Sequence, residues 1–215
     1  MSKLVFITSV INPPATAFSY SNIRSIYNTD DRFNQTKRTL TSIKKHFGDS
    51  CKILMVETSN LSKSQTDFLK TNTDYFLNLI DNQNIVSRIH SKSKSMGEGT
   101  QTIMALKYIK EHDLQFDTLV KLSGRYYLNG KYKRKDIPTK IIAKEIDPRG
   151  NGVSTVLYEM PKIYLDSWYN FLTFPCTEKK MINCIGYEVL FGEFLDSLWW
   201  NEDYAFLTLK PKSYA

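Results

Sequence analysis

The sequence predicts an α/β fold, a mainly parallel central sheet flanked by helices on both faces. Two observations predict it. The runs Leu4-Val5-Phe6-Ile7 and Ile53-Leu54-Met55-Val56 are continuously apolar rather than alternating. Such runs suit strands buried on both faces. They are separated by helix-periodic stretches, and a β-α-β order implies parallel strands joined by right-handed crossovers. No linker interrupts the 215 residues, so one domain over 1–215 is expected.

The elements follow in order. Leu4 to Ile11 reads as the first strand, stopped by Asn12-Pro13-Pro14. A long polar loop with Tyr20, Tyr27 and Asp30-Asp31 comes next, and loops of that length often carry function. From Arg32 to Phe47, the positions Thr36, Leu40, Ile43 and Phe47 share one helical face, with Gly48 as the C-cap. Lys52 to Glu57 reads as the second strand. Ser62 and Gln65 form a capping-box signature for a helix through Lys70. Tyr75 to Ile80 is the third strand. Ser95 and Glu98 suggest another capping box, opening a helix that ends near His112. Thr118 to Leu128 is a strand, followed by the basic turn Gly130 to Lys135. Extended segments are expected at Ile141–Ala143 and Val153–Leu157, and a helix from Leu165. A longer helix is expected over Glu178–Leu198, and a closing strand over Phe206–Leu209.

Composition narrows the class. Lys+Arg number 29 against 22 Asp+Glu, a net +7 that favours anionic partners. No apolar stretch reaches the roughly 20 residues that span a bilayer. Leu4–Ile11 with Ala15-Thr16-Ala17 imitates a signal peptide, but it contains Thr8 and Ser9 and ends in prolines, so a first strand explains it better. Cys51, Cys176 and Cys184 are widely spaced and form no C-x-x-C pair. Reduced thiols and a cytoplasmic, non-secreted protein are expected. The scattered His46, His90 and His112, with no H-E-x-x-H or G-x-S-x-G, exclude zinc-protease and serine-hydrolase readings.

In open parallel sheets, ligands bind beyond the carboxyl ends of the strands. The residues there are Thr8-Ser9-Val10, with a backbone and hydroxyls that can line a base or ribose pocket, and Glu57, which is either a surface carboxylate or an acceptor for a ribose hydroxyl. Arg88, Lys92 and Lys94 precede a helix start, where free N–H groups and the dipole favour an anion, and Gly97 and Gly99 permit close approach. On a strand, Lys121, Ser123 and Arg125 share one face. A desolvated cation there needs an internal carboxylate or a bound phosphate. On the expected long helix, Glu188 lies within about 20° of Leu195, so it is either a paired core carboxylate or one exposed in a cleft. Asp203 is a second carboxylate candidate.

These motifs resemble nucleotide-sugar glycosyltransferases of the GT-A fold. Arg32-x-x-Gln35-Thr36, Lys94-Ser95-Met96-Gly97-Glu98 and Lys121-Leu122-Ser123-Gly124-Arg125-Tyr126 are similar to a glycosyltransferase domain of large algal DNA viruses, the N-terminal module of a longer multidomain protein. The resemblance implies a GT-A-like domain, with residues 1–128 as the nucleotide-sugar half and 129–215 as the acceptor half. It implies transfer of a hexosyl or deoxyhexosyl group from a UDP-sugar to a glycan or glycoprotein, in the host cytoplasm if the protein is viral. The base would lie near Thr8, Ser9, Val10 and Glu57. The diphosphate would lie near Arg88, Lys94 and Gly97, and the sugar would face Ser123, Gly124 and Arg125; Arg32 and Lys121 are further expected donor-binding residues. Glu188, then Asp203, would serve as the base. Many such enzymes hold Mn²⁺ or Mg²⁺ on Asp-x-Asp. Here the triplet is Ser123-Gly124-Arg125, so Arg125 and nearby lysines are expected to neutralise the diphosphate directly, with Asp81 the one candidate metal ligand. Two other functions compete. Nucleotidyl transfer lacks its Gly-rich loop, because Asn12-Pro13-Pro14-Ala15 stands after the first strand. Nucleic-acid binding finds aromatics among cations in Tyr126-Tyr127 and Lys131-Tyr132-Lys133, but the other basic residues are spread through the chain.

Overall fold

The computed structural model describes residues 2–130, 132, 140–145, 152–199 and 207–208. Strands β1 (Lys3–Ser9), β2 (Cys51–Glu57), β3 (Tyr75–Asn78) and β4 (Thr118–Ser123) come first, with β5 (Ile142–Glu145), β6 (Val153–Pro161) and β7 (Leu207–Thr208) after them. They form one seven-stranded sheet in the order β3-β2-β1-β4-β6-β5-β7. The β3-β2-β1-β4 half is parallel throughout, while β6 runs antiparallel to both β4 and β5. The expected mainly parallel sheet is therefore present, with its reversal confined to β6.

Helices α1 (Thr29–Phe47), α2 (Lys63–Asn72), α3 (Gln83–Ile89), α4 (Lys94–Glu111), α5 (Leu165–Thr173), α6 (Pro175–Ile182) and α7 (Tyr187–Trp199) cover both faces. Alternation along β1 divides the core. Val5 and Ile7 pack with Leu40, Ile43 and Phe47 of α1 and Leu69 of α2. Leu4 and Phe6 face α4 through Leu106 and Ile109, in a cluster that extends to Trp168 of α5 and to Phe191 and Phe194 of α7. The Ser62–Gln65 capping box is formed, as is one at Asn28–Asp31, which starts α1 three residues before Arg32.

Four details differ from the sequence expectations. The cap of α4 is Ser93, which accepts from Met96 N at 3.1 Å, so Ser95 lies inside the helix and Glu98 is not a capping residue. Strand β4 ends at Ser123, and Arg125 lies on the following turn instead of sharing a strand face with Lys121. The helix expected over 178–198 is two helices, because Cys184 adopts a left-handed φ of 61° between α6 and α7. The short α3 was not anticipated. Its cap Asn82 accepts from Ile85 N in a segment too brief to show periodicity. Lys131, Lys133, Arg134 and Lys135 of the basic turn, Asp203, and Phe206 and Leu209 lie outside the described residues.

Each face of the sheet also carries a buried ion pair. On the α1 face, Lys3 meets Glu159 at 2.5 Å. On the α4 face, Lys121 Nζ reaches Glu98 at 2.5 Å, Ser123 Oγ at 2.8 Å and the Thr155 carbonyl. Burial pushes the Lys121 ammonium below its usual value, and the facing Glu98 opposes that shift. Removing one partner of such a pair strands a charge, which typically costs about 3–5 kcal/mol. Lys121→Ala should lower the urea midpoint accordingly. Lys52→Ala breaks the exposed Lys52–Asp74 pair and should leave the midpoint nearly unchanged.

Candidate functional site

A cavity of about 460 Å³ opens beyond the carboxyl ends of β1 and β4. Thr8, Ser9 and Val10 line it from β1 and the loop that follows. Ser123, Gly124 and Arg125 line it from the end of β4. Lys94, Gly97, Glu98 and Gln101 come from the first turns of α4, and Arg32 from α1. Phe18, Tyr20, Arg24 and Tyr27 of the long 10–28 loop cover it. The volume falls within the usual range for small-molecule sites.

Backbone contacts hold this shape. Gly124 N donates to Thr8 O at 2.9 Å, and its carbonyl accepts from Thr36 Oγ1 at 3.2 Å and Thr39 Oγ1 at 3.3 Å. A Cβ at 124 would lie 3.0 Å from Ser9 Cβ and 3.1 Å from Thr8 O, so any side chain there would press the turn away from β1 by a few tenths of an ångström. Gln101 Nε2 donates to Ser9 O at 2.6 Å and fixes the end of β1 to α4. Glu57 is fully buried beneath. Its Oε1 accepts from Ile11 N, Thr58 N and Ser59 Oγ, which ties the loops after β1 and β2 together. Burial raises its pKa, and those hydrogen bonds oppose the rise.

The cavity wall is cationic. Arg32 is 8% exposed, and its Nε is buried without a hydrogen-bond partner. Burial lowers its pKa to about 10; the Arg125 charge adds to the shift and Glu57 opposes it. Arg24 stacks over Phe18 and donates to the carbonyls of Ile89 at 2.5 Å and Ser91 at 2.7 Å. Those carbonyls lie at the end of α3, where a cation is favoured. Ser19 N adds a bond to Lys92 O at 2.9 Å. The 10–28 loop is thereby latched onto the α3–α4 junction.

The acidic groups sit on the α4 side. Glu98 is the one described carboxylate on the cavity wall. Glu188 lies behind Lys94 and accepts from its ammonium at 2.9 Å. Burial pushes the Glu188 carboxyl up, but Lys94 outweighs it and holds the group below the usual value, ionised and weakly basic.

The structure thus gathers Thr8, Ser9, Val10, Arg32, Lys94, Gly97, Ser123, Gly124 and Arg125 around one cavity. It does not bring the other candidates to the wall. Glu57 lies beneath the wall, its Oε1 taken by Ile11 N, Thr58 N and Ser59 Oγ and its Oε2 buried without a hydrogen-bond partner. Arg88 turns away to Glu178 at 2.5 Å and Thr100. Lys121 takes the internal-carboxylate alternative, with Glu98 as its partner. Glu188 is screened by Lys94. Gly99 serves packing: a Cβ there would lie 2.3 Å from Met181 Sδ. Arg24, Gln101 and Glu98 were missed. A buried Lys121 calls for a carboxylate, which was a usable pointer to Glu98. Arg24 and Gln101 gave no comparable signal, because loop contacts and single polar helix positions have no period.

The described residues do not fit Mn²⁺ or Mg²⁺. Hard divalent cations need several oxygen ligands, carboxylates foremost. At the end of β4 stands a guanidinium, and the Gly124 carbonyl already accepts two hydroxyl groups. No group of three or more His, Cys, Asp or Glu among the described residues could hold a metal. Asp81 is exposed on the β3–α3 connection, away from the cavity.

No family model and no curated protein matches this chain. Solved structures do. A protein of Desulfovibrio desulfuricans, described provisionally as a nucleotide-diphospho-sugar transferase, is similar over 97% of this chain and 80% of its own, at 10% identity and a TM-score of 0.50. A glycosyltransferase involved in the glycosylation of the major capsid of PBCV-1 is similar over 97% of this chain and 82% of its own, at 12% identity and a TM-score of 0.44. The first likeness is one of fold. The chain has a GT-A-like α/β architecture. Among the described residues no helix is long and apolar enough to cross a membrane.

Arg24→Ala removes the latch and leaves the sheet untouched. Amide hydrogen exchange over residues 13–27 should accelerate strongly, while amides of β1 and β2 keep their protection. Unchanged exchange in the loop would show that Arg24 does not hold it.

Proposed function

We propose that the protein is a glycosyltransferase that moves a sugar, hexosyl or deoxyhexosyl, from a UDP-sugar to a hydroxyl of a glycan or glycoprotein. The observation that supports this reading is the cationic cavity at the carboxyl ends of β1 and β4 in a GT-A-like fold. In the reaction the bond between the anomeric carbon and the β-phosphate oxygen breaks. The acceptor oxygen bonds to that carbon and loses its proton, and UDP departs with the electron pair. The strand-end Thr8, Ser9 and Val10, with Phe18 and Tyr20 of the loop, offer polar and aromatic surface for the nucleoside. The arginines of the wall face the diphosphate, whose charge grows as the bond breaks.

Glu98 is the carboxylate within reach of an acceptor in the cavity. We assign it, ahead of Glu188 and Asp203, as the group that receives the acceptor proton on the ground of its place at the cavity wall, since Lys121 holds it as closely as Lys94 holds Glu188. Nucleic-acid binding is disfavoured because the arginines line a concave pocket, where a single small anion fits better than a polymer backbone.

A UDP-sugar should raise the melting temperature. Saturation at 100 times the dissociation constant corresponds to about 2.7 kcal/mol. The absence of a shift with any nucleotide sugar at millimolar concentration would reject the donor site. With the donor identified, Glu98→Gln should cut turnover by about 10²–10⁴, the usual contribution of a positioned base, and should also lower the melting temperature because it leaves Lys121 without its carboxylate. Glu188→Gln should keep turnover within a few-fold. Melting curves on both variants separate lost chemistry from lost fold. The reverse ranking would return the proton-accepting role to Glu188.

A further inference from the structure

The cations around the cavity are of two kinds. Those on the α4 side are already matched: Lys94 with Glu188 at 2.9 Å, and Lys121 with Glu98 at 2.5 Å. Those on the loop and α1 side are not. No described carboxylate pairs with Arg24, Arg32 or Arg125. Arg32 is the telling member. It is more than nine-tenths buried, lines the cavity, and gives one N–H to Ser25 Oγ at 3.1 Å while its Nε finds nothing. Glu57 offsets the Arg32 charge only in part and no described carboxylate bonds to it; a buried guanidinium so placed is costly, and an unmade hydrogen bond adds to the cost. The fold tolerates this at the cavity where a ligand would enter.

We propose that Arg24, Arg32 and Arg125 form a metal-free diphosphate clamp, in which the guanidinium groups do the neutralising that a divalent cation does elsewhere and Lys94 makes no phosphate contact. The inference rests on the reading of the cavity as a nucleotide-sugar site and adds the means by which the charge is met. Three observations converge on it. The end of β4 offers a guanidinium where a metal would need carboxylates. Planar guanidinium forks match phosphate oxygens in pairs, which an ammonium cannot do. Arg24 belongs to the latched loop that covers the cavity, so the anion and the loop share one residue. Binding supplies Arg32 with its missing acceptor. The lowered pKa of Arg32 has the same origin, burial and the nearby Arg125 charge.

The test is calorimetric titration of the intact protein with UDP, inorganic pyrophosphate and uridine, in excess EDTA and again in excess Mn²⁺. Each of UDP and pyrophosphate should bind as well in EDTA as in Mn²⁺, with UDP the tighter of the two. Arg32→Met and Arg125→Ala should each weaken UDP by about 10- to 100-fold, the span of one charge-assisted hydrogen bond, and leave uridine unaffected. Ligand-free Arg32→Met should melt close to the parent, since it loses a buried charge that no ion pair holds, which offsets the lost attraction to Glu57. If it does not fold, the exposed Arg125 decides the matter. UDP affinity that appears only with Mn²⁺ overturns the clamp and keeps the nucleotide-sugar reading. Parental UDP affinity in both variants also overturns it. Metal-free pyrophosphate binding with no tighter binding of UDP keeps the clamp and overturns the nucleotide-sugar reading. No binding of any of these ligands in either buffer overturns both.

Discussion

Lys121 carries its charge into the middle of the sheet, where the side chain is fully buried and reaches Glu98, Ser123 and the Thr155 carbonyl. Those partners belong to α4, β4 and β6. A buried ammonium must keep its anion, so the first turns of α4 are held against the end of β4. The same contact joins the parallel half of the sheet to the antiparallel β6 at the place where the strand direction reverses. The cavity opens at that junction, and its α4 wall is positioned by this one pair. Gln101, one turn further along α4, repeats the constraint on β1 through the Ser9 carbonyl.

The electrostatics of the cavity follow from that arrangement. Glu98 faces Lys121, and Glu188 faces Lys94, so the α4 wall is close to balanced. The opposite wall is built from a loop and from α1, and neither supplies a carboxylate. Arg24 is oriented by the carbonyls at the end of α3, and Arg32 is drawn inward by its place on the buried face of α1 beside Thr36 and Leu40. The result is an asymmetric pocket, neutral on one side and cationic on the other. A ligand with a compact, strongly charged portion and a less charged remainder suits that asymmetry.

The fold was legible in the sequence because burial on both faces leaves a plain mark. Leu4–Ile7 and Ile53–Val56 have no polar alternation, and α1 and α2 announce themselves by periodicity and caps. The misread elements are those in which a local rule met a tertiary demand. Ser95 and Glu98 fit a capping box, yet Ser93 also caps, and Lys121 claims Glu98. Glu178 to Leu198 keeps an apolar stripe across a break that only the left-handed Cys184 reveals. Of the site, the strand-end residues Thr8, Ser9 and Ser123-Gly124-Arg125 could be located because parallel sheets bind ligands at that edge. Which cations are free and which are paired depends on contacts such as Arg88–Glu178 and Lys94–Glu188, about 90 residues apart in the chain. No spacing rule reports those.

The central claim is that the unmatched arginines meet a nucleotide diphosphate. A crystal structure of the UDP complex, grown in EDTA, tests it most directly. The account predicts both phosphates in the cavity, with an oxygen at hydrogen-bond distance from Arg32 Nε and the uridine directed toward Thr8 and Ser9. Phosphates held away from Arg32, or a nucleotide bound elsewhere on the sheet, would contradict it.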